Sequence, residues 1–373
     1  MRIHSLSITR TSENVEKISA GLDETEIYFE VTGAPDRLRE SYDPFVLAAF
    51  PYAMVKGGEM EVDGDAPVSR PLVENLHRAI EMYLQWWPYL ADLRICPTRV
   101  EDHPPKGSGH VGCFFSGGVD SLYSYERNAA EITHLILCLG LDMGFDEMER
   151  WNRTVEFVSD VADARGKGLV LVKTNAKAPL RMPGRADGHG ARLSSTAMAA
   201  GFGTLIIPAS NSLDQLAPWG SHPMLDPLFS NGVTEVIHDS PIPRSAKTKA
   251  LVEGGVDLDA LRVCNVRSLY NCGECEKCLR TRFVMTLLGV ESQSLKAIRD
   301  PKLLRQLKLH SANAYRFWMD NLLFAGRMGR HDFVREIGRI TRSWRVREAL
   351  RQLDDDLTGG RVFRLKRKFT SRE

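Results

Sequence analysis

The chain has no long hydrophobic run: nothing in its 373 residues approaches the about 18 consecutive apolar residues of a membrane-spanning helix. Nor does it carry a surplus of either charge. Its 49 Lys and Arg stand against 48 Asp and Glu, which argues against bulk polyelectrolyte binding to nucleic acid. The opening residues Met1-Arg2-Ile3-His4-Ser5 lack the continuous apolar core of a secretory signal. No internal repeat is visible, so solenoids and propellers are not expected. Cysteine is sparse, at seven, and four of the seven crowd into positions 264–278. An odd, clustered set points to a reducing compartment and a metal ion, not to a disulfide framework. The expectation is a cytoplasmic protein of two or three domains.

Composition divides the chain into three regions. Residues 1–105 hold short strand signals at 3–8, 26–31, 59–62 and 93–96. Among them lies a helix with Leu72, Leu76, Ile80 and Tyr83 at three- and four-residue spacing. They are read as an N-terminal α+β accessory domain. Pro104-Pro105-Lys106-Gly107-Ser108-Gly109 reads as a linker. Residues 110–282 alternate strands (111–115, 134–141, 169–173, 204–208, 234–238) with helices (121–130, 192–200, 245–252). A further helix places Met148, Trp151, Val155, Val158 and Val161 on one face. This alternation predicts an α/β domain, an open parallel sheet with helices on both faces and ligands beyond the carboxyl ends of its strands. Residues 283–373 are polar, Arg-rich and helical in pattern.

The most informative segment is Phe115-Ser116-Gly117-Gly118-Val119-Asp120-Ser121. An apolar strand feeds a Ser/Gly turn that opens a helix. Two glycines let the backbone approach a ligand closely, and the helix start turns free N–H groups and a positive dipole end toward it. Ser116 and Ser121 add hydroxyls, and Asp120 orients the loop or holds Mg²⁺. An ordinary strand–helix turn is the competing reading. The pattern that ends in Gly-Lys-Ser/Thr, which cradles β- and γ-phosphates, is absent.

The second signal is Cys264, followed by Cys272-Gly273-Glu274-Cys275-Glu276-Lys277-Cys278. Two-residue spacings let thiolates converge on one ion, and four thiolates satisfy tetrahedral Zn²⁺ with no open position, which predicts a structural zinc lobe. An iron–sulfur cluster is the rival. Cys96, Cys113 and Cys138 lie in apolar strand contexts and are read as core.

The Ser-Gly-Gly-Val-Asp-Ser loop resembles the pyrophosphate (PP) loop of the ATP pyrophosphatases, which split ATP between the α and β phosphates. The order of that loop, Lys247-Thr248-Lys249 before a helix, and four cysteines with Arg280 just after resembles the 7-cyano-7-deazaguanine synthases of that group. The likeness covers about the middle 170 residues and implies an adenine nucleotide α-hydrolase-like sheet. On it, Ser116, Gly117, Gly118, Val119, Asp120 and Ser121 hold the pyrophosphate of ATP with Mg²⁺, and the four cysteines hold Zn²⁺. The activity implied is adenylation of a carboxylate or carbonyl oxygen, followed by displacement of AMP by an amine or ammonia. His189-Gly190-Ala191-Arg192 falls where the family carries Pro-Gly-Arg-Asn, and 219–226 falls where it has a pocket loop containing Tyr-Pro-Asp-Cys. That Asp-Cys is missing here, and the regions before and after the core are additions, so the acceptor does not carry over.

Lys247, Arg244 and Arg192 are the candidate cations for charge that builds on the transferring phosphoryl group; solvated helix-end charges are the alternative, and Lys249 is read as surface. His222 and Asp226 are candidates for the acceptor pocket, His222 as a general base. Asn211, Ser212 and Asp214 are read first as turn residues, and Asp142 as a weak nucleotide contact. Expected partners are a small-molecule or peptide acceptor, a second copy of the chain, and nucleic acid at the basic tail Arg361–Lys368, which reads more readily as a solvated end. Two alternatives remain: tRNA thiolation by adenylation, which needs a catalytic cysteine, and a non-catalytic nucleotide- or nucleic-acid-binding module.

Overall fold

The structure, a computed structural model, describes residues 1–182, 188–264 and 270–358. The chain forms two compact units, Met1–Ile242 and Pro243–Glu373. Among the described residues no helix is long and apolar enough to cross a membrane.

The first unit is built on one sheet. Its elements in chain order are β1 (Arg2–Ser12), β2 (Val15–Leu22), β3 (Thr25–Thr32), α1 (Asp43–Lys56), β4 (Gly58–Val62), β5 (Val68–Ser69), α2 (Arg70–Trp86), β6 (Leu93–Pro97), β7 (Val100–Glu101), β8 (Val111–Phe114), α3 (Val119–Arg127), β9 (His134–Leu139), α4 (Met148–Ala164), β10 (Gly168–Thr174), α5 (His189–Ala199), β11 (Thr204–Pro208) and β12 (Glu235–Asp239). The ten-stranded sheet runs β12-β11-β8-β9-β10-β3-β2-β1-β4-β6, and β5 pairs with β7 apart from it.

From β12 to β10 every pairing is parallel. Numbered from β8, these five strands follow the order 3-2-1-4-5, the doubly wound arrangement that reverses direction beside its first strand. The interior strand β9 is a run of Leu, Ile and Cys buried along almost its whole length, as a parallel strand covered on both faces must be. The architecture is thus α/β, with a large, mostly parallel sheet flanked by helices. Strands on both sides of the 104–109 segment belong to this sheet, because β3 pairs antiparallel with β10. The segment itself is packed: a side chain at Gly107 would strike the Val233 carbonyl, and Ser108 Oγ donates to the Gly201 carbonyl at 3.0 Å.

Two sequence expectations need correction, on Met148 and Cys96, and one helix went unread. Helix α1 has no polar face to announce it, since nearly every residue is buried and Pro51 interrupts it. Met148 opens α4 and is exposed, while Trp151 and Val158 carry the buried face. Cys96 lies near the end of edge strand β6 and is only half-buried; Cys113 and Cys138 are core.

The second unit holds α6 (Arg244–Glu253), α7 (Glu276–Leu287), α8 (Ala312–Arg327) and α9 (His331–Thr358). Its core gathers Leu279, Phe283, Trp318, Phe333 and Ile337. The basic tail 361–368 lies outside the described residues.

Candidate functional site

The loop 115–118 leaves the carboxyl end of β8 at the strand where the order reverses, the position at which open α/β sheets bind ligands. Phe115 N–H donates to the Ile136 carbonyl at 3.0 Å, which pins the loop to β9. Gly117 has φ +75, a conformation that costs other residues about 1–2 kcal/mol. Ser121 Oγ donates to the Gly118 carbonyl at 3.1 Å and accepts from Ser116 N–H at 3.3 Å, so this hydroxyl closes the turn. Among the described residues the N-cap Gly118 supplies no side-chain cap to α3, and the first N–H groups of a helix have no intrahelical partner. Ser116 is exposed, Val119 is buried, and Asp120 sits in the first turn of α3.

Neighbouring strand ends add polar groups to this edge. Asn211 Oδ1 and Ser212 Oγ, just past β11, are buried and have no hydrogen-bond partner among the described residues. Burying such an atom costs about 1–3 kcal/mol. Past β12, Ser240 has φ +56 and donates to Asp239 Oδ2 at 2.7 Å, while Arg127 of α3 approaches Asp239 Oδ1 at 3.9 Å.

The 219–226 loop packs on the start of α5. Gly190 N–H donates to the Gly220 carbonyl at 2.7 Å, and a side chain at Gly190 would collide with Asp226. Asp226 is fully buried and accepts from Ser221 Oγ (2.7 Å), His222 N–H (3.2 Å) and His238 Nδ1 (2.7 Å). His222 is buried against Trp86. Burial, then the nearby charge of His238, hold His222 below the ordinary histidine range. Thus His222 and Asp226 do come together, with His238 as a partner the sequence reading missed. A histidine late in an apolar strand beside a buried acid would have been the signal.

Arg192 lies buried in the first turn of α5, with its backbone carbonyl taken by Ser195 and Thr196 hydroxyls. Asp142 is exposed and 4.0 Å from His189 Nδ1. Cys113 faces the core, and burial followed by the charge of Asp239 pushes its thiol up, so it is not a poised nucleophile. A depression of about 550 Å³ lies away from these loops, lined by α4 and strands β10 and β3.

Lys247, Arg244 and the cysteines belong to the second unit. Lys247 is fully buried on α6, and Lys249 is exposed and paired with Glu253. The guanidinium groups of Arg244 and Arg280 lie 4.7 and 4.1 Å from the Phe317 ring centre. Asp320 accepts from Ser245 N–H and Oγ at 2.9 and 2.6 Å, which ties α6 to α8.

The sulfurs of Cys264, Cys272, Cys275 and Cys278 lie within 4.8 Å of one another, and two pairs stand at 3.8 and 3.9 Å. Four sulfurs about 2.3 Å from a tetrahedral zinc ion stand about 3.8 Å apart. The cluster can therefore hold a metal ion such as zinc. Cys272 N–H donates to Cys264 Sγ and Cys275 N–H to Cys272 Sγ. Gly273 takes φ +75 between the ligands, and Arg282 donates to its carbonyl at 2.5 Å.

No family model, curated protein or solved structure matches the chain.

Proposed function

We propose that the chain is an AMP-forming, ATP-dependent ligase of the PP-loop ATP pyrophosphatase type, similar to the 7-cyano-7-deazaguanine synthases. The observation that carries this reading is the Ser116–Ser121 loop at the carboxyl end of β8, at the reversal point of a 3-2-1-4-5 parallel sheet. Chemistry follows from that position. An acceptor oxygen attacks the α-phosphate of ATP, the bond between the α-phosphorus and the bridging oxygen breaks, and pyrophosphate leaves. Negative charge builds on oxygens that the N–H groups of the loop and α3 would face. Asp120, in the first turn of α3, is the carboxylate that would hold Mg²⁺, which would shield the phosphates. The buried oxygens of Asn211 and Ser212 offer the nucleotide further polar contacts. The four cysteines hold Zn²⁺ as a structural ion, because four thiolates leave no open position. Cys113 is core, which weighs against thiolation. An amine or ammonia then displaces AMP from the activated acceptor.

The test is exchange of labelled pyrophosphate into ATP, with carboxylates from deazaguanine acids to peptide termini as acceptors. Exchange is expected with one of them, and Gly117→Val or Asp120→Ala should lower it by about 100-fold or more. Absence of exchange with every carboxylate, or full exchange in both variants, refutes the reading.

A further inference from the structure

Asp226 and the two imidazoles beside it distinguish a base from a donor. An ionised carboxylate only accepts hydrogen bonds. Where Asp226 Oδ2 is the acceptor of the 2.7 Å contact with His238, Nδ1 is the donor and Nε2 is the ring nitrogen left for a lone pair. Among the described residues this is the one hydrogen bond of the His238 ring. His222 has the opposite tautomer. Met224 N–H donates to its Nδ1 at 3.2 Å, so neutral His222 carries its proton on Nε2. His222, expected from the sequence to be the base, lacks a free lone pair.

His238 also lies near the carboxyl end of its strand, two strands from β8. It is the penultimate residue of β12 and pairs in register with Ile207 of β11, one residue past the partner of Cys113 in β8. The loop begins at Phe115, two residues beyond Cys113. The ring is 5% exposed, so most water is excluded, and the buried Asp226 would stabilise the imidazolium that forms.

We propose that His238, oriented by Asp226, is the general base that takes the proton from the amine that displaces AMP; this rests on the adenylation reading above. The amine nitrogen bonds to the activated carbon, the bond from that carbon to the AMP oxygen breaks, and AMP leaves with the electron pair. The proton from nitrogen passes to His238 Nε2.

The test uses the full chain, ammonia, and whichever carboxylate supports pyrophosphate exchange, and compares amide formation with exchange. His238→Asn keeps an N–H facing Asp226 but removes the second ring nitrogen. The ratio of amide formation to exchange should fall by about 10²–10⁴-fold, and free imidazole should restore part of it in His238→Gly. An unchanged ratio, or equal loss of both half-reactions without imidazole rescue, overturns the assignment while leaving adenylation standing. If the wild-type chain exchanges pyrophosphate with no carboxylate, adenylation fails and the base falls with it. Nitrogen-15 NMR of the wild-type imidazoles reads the same claim without any variant: His238 protonated on Nδ1 and His222 on Nε2 support it, and the reverse pair overturns it.

Discussion

Glycine at a single position decides how closely two strand ends can meet. Gly140 follows β9 with φ +101, and a side chain there would sit 1.7 Å from the Thr174 carbonyl oxygen at the end of β10. Gly58 also has positive φ, +86, but opens onto free space. Gly140→Ala should therefore cost at least about 2 kcal/mol, through backbone strain plus a clash with main chain. Gly58→Ala should cost about 1 kcal/mol, from conformation alone. Urea midpoints of the two variants check this; equal losses would mean the strand ends separate easily. Asp43 shows the same dependence on a site's neighbours. It is buried and accepts from Ser69 N–H, Ser69 Oγ and Asn231 Nδ2, joining α1 to the start of α2 and the turn before β12. Nothing in the residues around position 43 announces those partners, because they lie 26 and 188 positions away in the chain.

Among the elements, the cysteine lobe is where a ligand and a helix are most closely joined. Cys275 is the N-cap of α7 and Cys278 lies in its first turn, so a bound ion holds the helix start. The thiol of Cys275, then burial, push the Cys278 thiol up, and a cation reverses that repulsion. Purified protein is expected to carry about one zinc ion per chain, by elemental analysis. Chelation should expose four thiols to Ellman's reagent and reduce helical ellipticity, since the free energy of binding a structural ion is spent on folding. A chelated chain with unchanged ellipticity would show the ion to be dispensable. This element was legible because spacing alone brings the thiols together. Helix α1 was not, because a helix buried all round has no period-3.6 stripe to read.

At the scale of the whole molecule, stability should depend on pH through histidines held neutral. Burial, then the charge of His110 against the opposing Asp36, lowers the pKa of His134. Burial, then His238 against the opposing Asp226, lowers that of His222. A depressed folded-state pKa means the unfolded chain binds more protons, so stability is full above the ordinary value of about 6.5 and declines as pH falls toward the folded values. Urea midpoints measured from pH 7.5 to pH 5 should decline, with a shallower slope in His134→Gln. A flat or rising profile would refute this.

Sequence alone determined the features that are local in the chain. The strand–glycine–helix turn depends on seven consecutive residues, and the thiol cluster depends on ligands within fifteen positions. Their geometry follows from chain stereochemistry and ligand spacing, so it can be read without a fold. Tertiary structure decided what is non-local. Strand β3 joins the parallel strands to an antiparallel meander, so the residues before the 104–109 segment share a sheet with those after it. Asp226 selects His238 across twelve positions, and the buried oxygens of Asn211 and Ser212 are left without partners among the described residues. The physical reason is the same in each case: hydrogen-bond register and burial belong to pairs of segments, and no single segment encodes which other segment it will meet.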